Sequence, residues 1–260
     1  MLNPRIIPCL LIQNKALVKT VEFSSPKYVG DPLNAVKIFN EKSVDELIVL
    51  DISATTENRE PDYKMIANIA MECRMPLCYG GGIKTVEQAL EIFKLGVEKV
   101  AISSSAVFNP NIIREIANIV GKQSVVTVID VKKKKFSGKY DMYTHNGKNK
   151  SVLPPIEFVK QAEQFGCGEI VINSIDKDGL MSGYDTKIIN EIRGAISIPI
   201  TVLGGAGKLD DFGAIIKEHG VIGVAAGSLF VFKGKYKAVL INYPSKIQKE
   251  KLFNDYLHLR

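Results

Sequence analysis

One stretch occurs twice in this chain, and the repetition limits the fold more than any other feature. Met75 to Ser105 reads MPLCYGGGIKTVEQALEIFKLGVEKVAISSS, and Ile198 to Leu229 reads IPITVLGGAGKLDDFGAIIKEHGVIGVAAGSL. Pro76 matches Pro199, Gly81 matches Gly204, Gly82 matches Gly205, Gly96 matches Gly220 and Ser104 matches Ser228. The offset is 123 residues up to the glycines and 124 after a one-residue insertion. Each copy has the pattern of an apolar strand, a glycine turn, an amphipathic helix, a second apolar strand and a small-residue turn. Paired glycines after a strand let backbone approach a ligand closely. A small-residue turn leading into a helix offers free N–H groups to an anion. Two such units half a chain apart predict a doubled half-barrel with two similar anion sites.

The length of 260 residues suits one (β/α)8 barrel, and 46% hydrophobic content suffices for one large core. A single domain covering 1–260 is expected. No apolar run reaches 18 residues, so no membrane span is expected. MLNPRIIPCLLIQ lacks the layout of a signal peptide and reads as a first strand. Cys9, Cys73, Cys78 and Cys167 form no C-x-x-C pair, as expected of reduced thiols in a cytoplasmic protein. A net charge of +6 fits either a polyanionic small ligand or a lysine-rich proteome. Nothing in the sequence calls for a metal or other cofactor, and no nucleic-acid motif is present.

In chain order, strand signals fall at Arg5 to Ile12, Glu46 to Ile52, the first repeat (two strands), Ser124 to Val131, Glu169 to Ser174, and the second repeat (two strands). ELIVLDI is almost wholly apolar, as a strand buried on both faces should be. Gln13 to Asp31 is too long for a simple connection and is expected to be a loop forming a lid, with Lys19 on it. The first helix should start near Pro32 and turn Ala35, Ile38 and Phe39 inward. The second should lie around Tyr63 to Cys73. Asn109 is an expected N-cap with Pro110 in the first turn of the following helix. The stretch KKKKFSGKYDMYTHNGKNKS has two Gly-centred turns and predicts a small hairpin excursion, its lysine run a solvated turn. A helix follows Pro154-Pro155. A weakly marked last helix is expected near Tyr236 to Tyr243, and the tail from Ser245 is either a closing helix or a mobile end. Strands alternating with helices throughout predict a parallel barrel.

In such barrels chemistry sits at the C-terminal ends of the strands. The polar and glycine positions expected there are Asp51, Ser53, Gly80 to Gly82, Ser103, Ser104, Asp130, Ser174, Asp176, Asp178, Gly204, Gly205, Gly227 and Ser228. Two anion sites across the mouth suit a ligand with a phosphate at each end. Asp130, between them, is the candidate acid or base; the alternative is a carboxylate that pairs with nearby lysines.

IIPCLL, DELIVLDISA, GGGIKTVEQA, VEKVAISSSAV, VVTVID, GEIVINSIDKDGLMSGYD and GGAGKLDDF together resemble the cyclase subunit of imidazole glycerol phosphate synthase, the HisF family. The resemblance runs from Met1 to about Phe232. It implies a barrel that takes ammonia from a HisH-type glutaminase docked on the N-terminal face. Ammonia then passes through the interior to a ribonucleotide bearing two phosphates. It also implies phosphate contacts at Gly82, Ser103 and Ser104, where the family usually has Asn at Ser103, and at Asp178, Gly179, Gly205, Gly227 and Ser228. Arg5, Glu46, Lys99 and Glu169 match the family's charged ring that gates ammonia, and Gln123 also matches. Without the resemblance, a salt-bridged layer serving only stability is the alternative reading of such a ring.

The chain departs from the family at the reacting groups. The family uses one aspartate at the end of strand 1 and its repeat mate at the end of strand 5. The mate is Asp130, but the strand 1 position is Leu11, which cannot transfer a proton. Gln13-Asn14-Lys15 and Leu203 are further changes at the mouth. The resemblance therefore extends to HisF-like paralogues of surface-sugar biosynthesis, in which ammonia serves a separate sugar amidotransferase that makes an acetamidino group. The competing expectations are a working cyclase of histidine biosynthesis and a non-catalytic scaffold for the glutaminase. The sister isomerase family fits less well, since it also needs both aspartates.

Overall fold

The computed structural model describes residues 3–257. In chain order its strands and helices are β1 (Arg5–Gln13), β2 (Ala16–Val21), β3 (Ser24–Gly30), α1 (Pro32–Glu41), β4 (Leu47–Asp51), α2 (Tyr63–Glu72), β5 (Leu77–Gly80), α3 (Val86–Lys94) and β6 (Lys99–Ile102). There follow α4 (Ser104–Phe108), α5 (Asn111–Val120), β7 (Val125–Lys133), β8 (Tyr140–Thr144), β9 (Asn149–Lys150), α6 (Pro155–Gln164), β10 (Glu169–Ser174), α7 (Thr186–Arg193) and β11 (Ile200–Leu203). The chain ends with α8 (Leu209–His219), β12 (Gly223–Ala226), α9 (Ser228–Val231), β13 (Phe232–Lys233), β14 (Ala238–Val239) and α10 (Lys246–Leu257).

Strands β1, β4, β5, β6, β7, β10, β11 and β12 pair in parallel in that order, and β12 pairs with β1, which closes the barrel. Alternation of side chains along each strand divides the apolar residues into two sets. Ile6, Leu10, Leu47, Val49, Ile170 and Ile172 face the helices. Ile7, Cys9, Ile48, Cys78, Val126 and Val171 fill the barrel interior, with Leu11 and Leu50 packed against them. The eight-stranded barrel, the alternation of helices and the repeat are as the sequence predicts.

Four local expectations are corrected. Residues between Gln13 and Asp31 are not a loop. The main chain turns at Asn14 (φ 50) and Lys15 (φ 64), and again at Glu22 (φ 49) and Phe23 (φ 61). These left-handed pairs are the geometry of tight hairpins, here without the glycines that usually announce it. They make β2 and β3 an antiparallel extension of β1. Residues near Tyr236 to Tyr243 form no helix. Gly234 (φ 73) and Lys237 (φ 49) instead turn β13 back onto β14. In α1, Val36 is buried beside Ala35 and Phe39, while Ile38 is only half-buried. Pro110, not Asn109, is the last residue before α5, although the Asn109 side chain still accepts from Asn111 N at 3.2 Å.

The tail from Ser245 forms α10, which packs on α8. Tyr243 OH donates to Ile6 O at 2.8 Å, and Lys249 Nζ lies 2.6 Å from Asp45 Oδ1. The ring of Tyr256 packs where a Cβ on Gly213 of α8 would otherwise stand. The predicted excursion after β7 is present: β7 continues past the barrel rim and pairs antiparallel with β8, which pairs with β9. β1 does the same with β2. The duplication therefore extends to the hairpins, which the sequence repeat does not disclose. All four cysteines are free thiols.

Candidate functional site

The mouth at the C-terminal ends of the strands holds a cavity of about 150 Å³. It is lined by Gly80 to Gly82 and Ser103 to Ser105 on one side and by Gly204, Gly205, Gly227 and Ser228 on the other. Both glycine pairs have positive φ: Gly81 126 and Gly82 74, Gly204 90 and Gly205 117. A side chain at Gly81 would meet Asp51 O at 2.5 Å, and one at Gly205 would meet Gly183 O at 2.2 Å. The glycines are therefore demanded by packing as well as by φ. Each half ends in a short helix starting at Ser104 or Ser228, whose first-turn N–H groups have no carbonyl four residues back.

Asp130 lies between the two cradles. Asn173 Nδ2 donates to its Oδ1 at 2.9 Å. Burial pushes the Asp130 carboxyl up to about 7, against the Asn173 hydrogen bond that lowers it, with the charge of Asp178 adding to the rise. No lysine makes an ion pair with Asp130 among the described residues. A carboxyl near neutrality is suited to passing a proton either way.

Lys19 is not on a loop. It stands in β2, buried, with Nζ donating to Cys9 O at 2.5 Å inside the mouth. A Cβ on Gly227 would come within 2.3 Å of that Nζ, so the ammonium abuts the second cradle. Burial lowers the Lys19 pKa, partly opposed by Cys9 and Asp178. Asp178 uses its Oδ2 to accept from Thr20 Oγ1 (2.6 Å) and Phe23 N (3.1 Å), pinning the β2–β3 hairpin over the mouth. Its side chain is thus committed to the hairpin, and burial raises its pKa. Gly179 packs against Thr20 O at the same place.

Three residues expected at the mouth do not line the cavity. Ser53 donates to Asp51 Oδ1, Ser174 is buried behind the wall, and Asp176 accepts from Lys133 N at 2.7 Å on the outer side. Sequence reasoning missed Asn173, His145 and Asn146, which do line it. Asn173 is a polar residue directly after the apolar run Ile170 to Ile172, 123 residues after Leu50, and that mismatch between repeat mates was the available signal. Asn146 Nδ2 donates to Ile52 O at 2.7 Å, tying the second hairpin across to the first half.

At the opposite end, Arg5, Glu46, Lys99 and Glu169 form a closed ring of alternating charge. Arg5 pairs with Glu46 and, at 2.7 Å, with Glu169. Lys99 Nζ lies 2.9 Å from each carboxylate. Glu46 and Glu169 are repeat mates at the 123-residue offset. Thr201 Oγ1 donates to Glu169 Oε1 at 2.5 Å. Burial alone would raise the Glu169 carboxyl, but Arg5 and Lys99 outweigh it and hold it below the usual carboxylate range. Glu98 accepts from Leu77 N at 2.7 Å, and Gln123 lies exposed ahead of β7.

Comparison with known proteins identifies the relatives of this chain. The profile of the family described as histidine biosynthesis protein matches residues 5–237. A protein of Vibrio vulnificus (strain YJ016), provisionally named imidazole glycerol phosphate synthase subunit hisF3, is 58% identical over 251 residues, 96% of each chain. A Pseudomonas aeruginosa protein with the provisional name hisF2 is 50% identical over 244 residues, 94% of this chain and 97% of its own. Imidazole glycerol phosphate synthase subunit HisF of Limosilactobacillus fermentum is 40% identical over 233 residues, 90% of this chain and 89% of its own.

Proposed function

Because this chain belongs to the histidine biosynthesis protein family and is similar to imidazole glycerol phosphate synthase subunits of HisF type, we propose that it receives ammonia from a HisH-type glutaminase and conducts it through the barrel. We further propose that the ammonia is delivered to a separate sugar amidotransferase, for amidination of a nucleotide-linked surface sugar. The observation that carries this reading is the contrast between the two ends. The charged ring at the N-terminal face is complete, with every carboxylate bridged by two cations. At the mouth, one half offers Asp130 and Asn173 while the other offers Leu11 and Leu50. Leu11 can neither give nor take a proton, so a reaction that needs a proton-transfer group at that strand end lacks it.

The two glycine cradles support retained binding of a bisphosphorylated small molecule, at Gly82, Ser103 and Ser104 and at Gly179, Gly205, Gly227 and Ser228. They also favour a second reading, a working cyclase of histidine biosynthesis in which Asp130, with its pKa of about 7, serves alone. One assay separates the two. Supply the histidine-pathway ribonucleotide with free ammonia, which bypasses the glutaminase, and measure steady-state turnover. Turnover of about 1 per second or more, an ordinary enzyme rate, would establish the cyclase and overturn the delivery reading. The glutaminase partnership is tested by calorimetry with the HisH-type protein of the same organism: a one-to-one complex is expected, and no binding would overturn it.

A further inference from the structure

The entire net charge of this protein resides in one hairpin. The chain carries 34 Lys and Arg against 28 Asp and Glu, a balance of +6. Residues 131–151 contain seven lysines, four of them consecutive at 132–135, no arginine, and Asp141 as the sole acid, which is again +6. The rest of the chain is therefore balanced, and a general excess of lysine does not explain the charge.

The hairpin is a built platform. Lys132 pairs across the ladder with Asp141, and Lys133 with Tyr140. Tyr140 and Met142 are buried, and Tyr140 OH donates to Asp185 Oδ1 at 2.7 Å. Its nearby acids are consumed in its construction. Asp141 is shared by Lys134 (3.0 Å) and Lys150 (2.9 Å), and Asp176 accepts from Lys133 N at 2.7 Å. Among the described residues, Lys132, Lys133, Lys135 and Lys139 have no carboxylate within ion-pair distance. Phe136, at the tip, is fully exposed. A groove of about 540 Å³ beside it is lined by five lysines and by Asp176 and Asp185, whose carboxylates accept from Lys133 N and Tyr140 OH. A second hairpin, β13–β14, repeats the pattern with Tyr236, 91% exposed, between Lys235 and Lys237. Lys237 Nζ reaches Gly179 O, at 3.4 Å, beside the mouth.

We propose that these two hairpins dock the acidic face of the enzyme that consumes ammonia at the mouth, a proposal that rests on the delivery function above. An exposed aromatic anchor within a charged rim is the anatomy of a protein interface. Unpaired lysines speed the encounter with an acidic partner and make it salt-dependent. The location fits the task, because ammonia released into open water is protonated and lost, and a partner seated on the rim covers the mouth. A small anion would use the lysines but has no need of Phe136.

The test places a benzophenone amino acid at position 136 in the producing cells, identifies the cross-linked chain, purifies it and titrates it against this protein. The expected result is an ammonia-accepting enzyme with an acidic surface. Its affinity should fall roughly tenfold or more with added salt, and again in the triple variant Lys132→Glu, Lys133→Glu, Lys135→Glu. Glutaminase binding and glutamine-driven ammonia release of that variant should be unchanged, since the platform lies at the other end of the barrel. Cross-links only to lipid, with co-sedimentation on phosphatidylglycerol vesicles, would overturn the proposal in favour of a membrane surface. Cross-links only to a second copy would overturn it too, as would an acceptor enzyme that binds the triple variant equally well while ammonia release persists. Absence of ammonia release from the unmodified complex would overturn the delivery function itself, and the docking proposal with it.

Discussion

Asn173 Nδ2 donates to Asp130 Oδ1 at 2.9 Å across adjacent, register-paired positions of β10 and β7. The equivalent register pair of the first half is Leu50 on β4 and Leu11 on β1. The strand register of the two halves corresponds, but the pair is polar in one half and apolar in the other. Leu11 and Leu50 pack on the interior cluster of Ile7, Cys9 and Ile48. The first half thus presents core where the second presents a carboxyl and an amide.

Restoring the acid tests this directly. Leu11→Asp should raise ammonia-dependent turnover of the histidine-pathway ribonucleotide by about two to four decades, the value of one general acid or base. Ligand affinity should change little, since neither cradle is touched. Stability should fall, because the new carboxylate enters a largely apolar wall. Equal turnover of the variant and the parent would show that the missing acid is not what limits the reaction.

Asp130 makes stability depend on pH. Its folded pKa of about 7 lies above the unfolded value of about 3.9. Between those values the folded state holds a proton that the unfolded state has released, so stability falls as pH rises from about 4 to about 7. Asp130→Asn should therefore raise Tm by several degrees at pH 8, at about 2–4 °C per kcal/mol. At pH 4 it should leave Tm nearly unchanged. Thermal scans at the two pH values check this; an equal shift at both would contradict it.

The bottom ring predicts a coupling. Glu169→Gln should cost about 3 kcal/mol, the low end for breaking a buried pair, because Arg5 is 30% exposed. After the single change, Glu46 still bridges both cations; after Glu46→Gln as well, neither cation has a carboxylate. The double variant should therefore lose more than the sum of the singles, by about 0.5–3 kcal/mol. Denaturant unfolding of the four proteins measures it, and strict additivity would mean that the ring does not act as a unit.

Gly227→Ala probes Lys19. The added methyl would sit 2.3 Å from Nζ, the mobile end of a long side chain. The lysine should swing away from Cys9 O while the fold survives, with a loss of stability of about 1 kcal/mol. Binding of inorganic pyrophosphate, measured by calorimetry, should weaken several-fold, and Lys19→Met should weaken it by a similar amount. Unchanged binding in both would remove Lys19 from the anion site.

How much was legible follows from the range of the interactions. Strand and helix periodicity, the glycine cradles and the repeat are local or self-similar features, so the sequence alone determined the half-barrel plan and both ends of the mouth, while the ring residues at the strand starts were legible only through the family resemblance. The β2–β3 hairpin was hidden because its turns use Asn14, Lys15, Glu22 and Phe23 in left-handed conformations without glycine. Their strain is offset by contacts from elsewhere, notably Asp178 to Thr20 and Phe23. The hairpin at β13–β14 was mistaken for a helix because alternation over so few residues is weak. Tertiary structure alone placed Lys19 inside the mouth, paired Asn173 with Asp130, and closed Arg5, Glu46, Lys99 and Glu169 into one circuit. Those outcomes depend on strand register and barrel closure, which bring together groups 41 to 164 residues apart in the chain. Only the closed sheet fixes such distances, because a local pattern carries no information about which distant strand lies alongside.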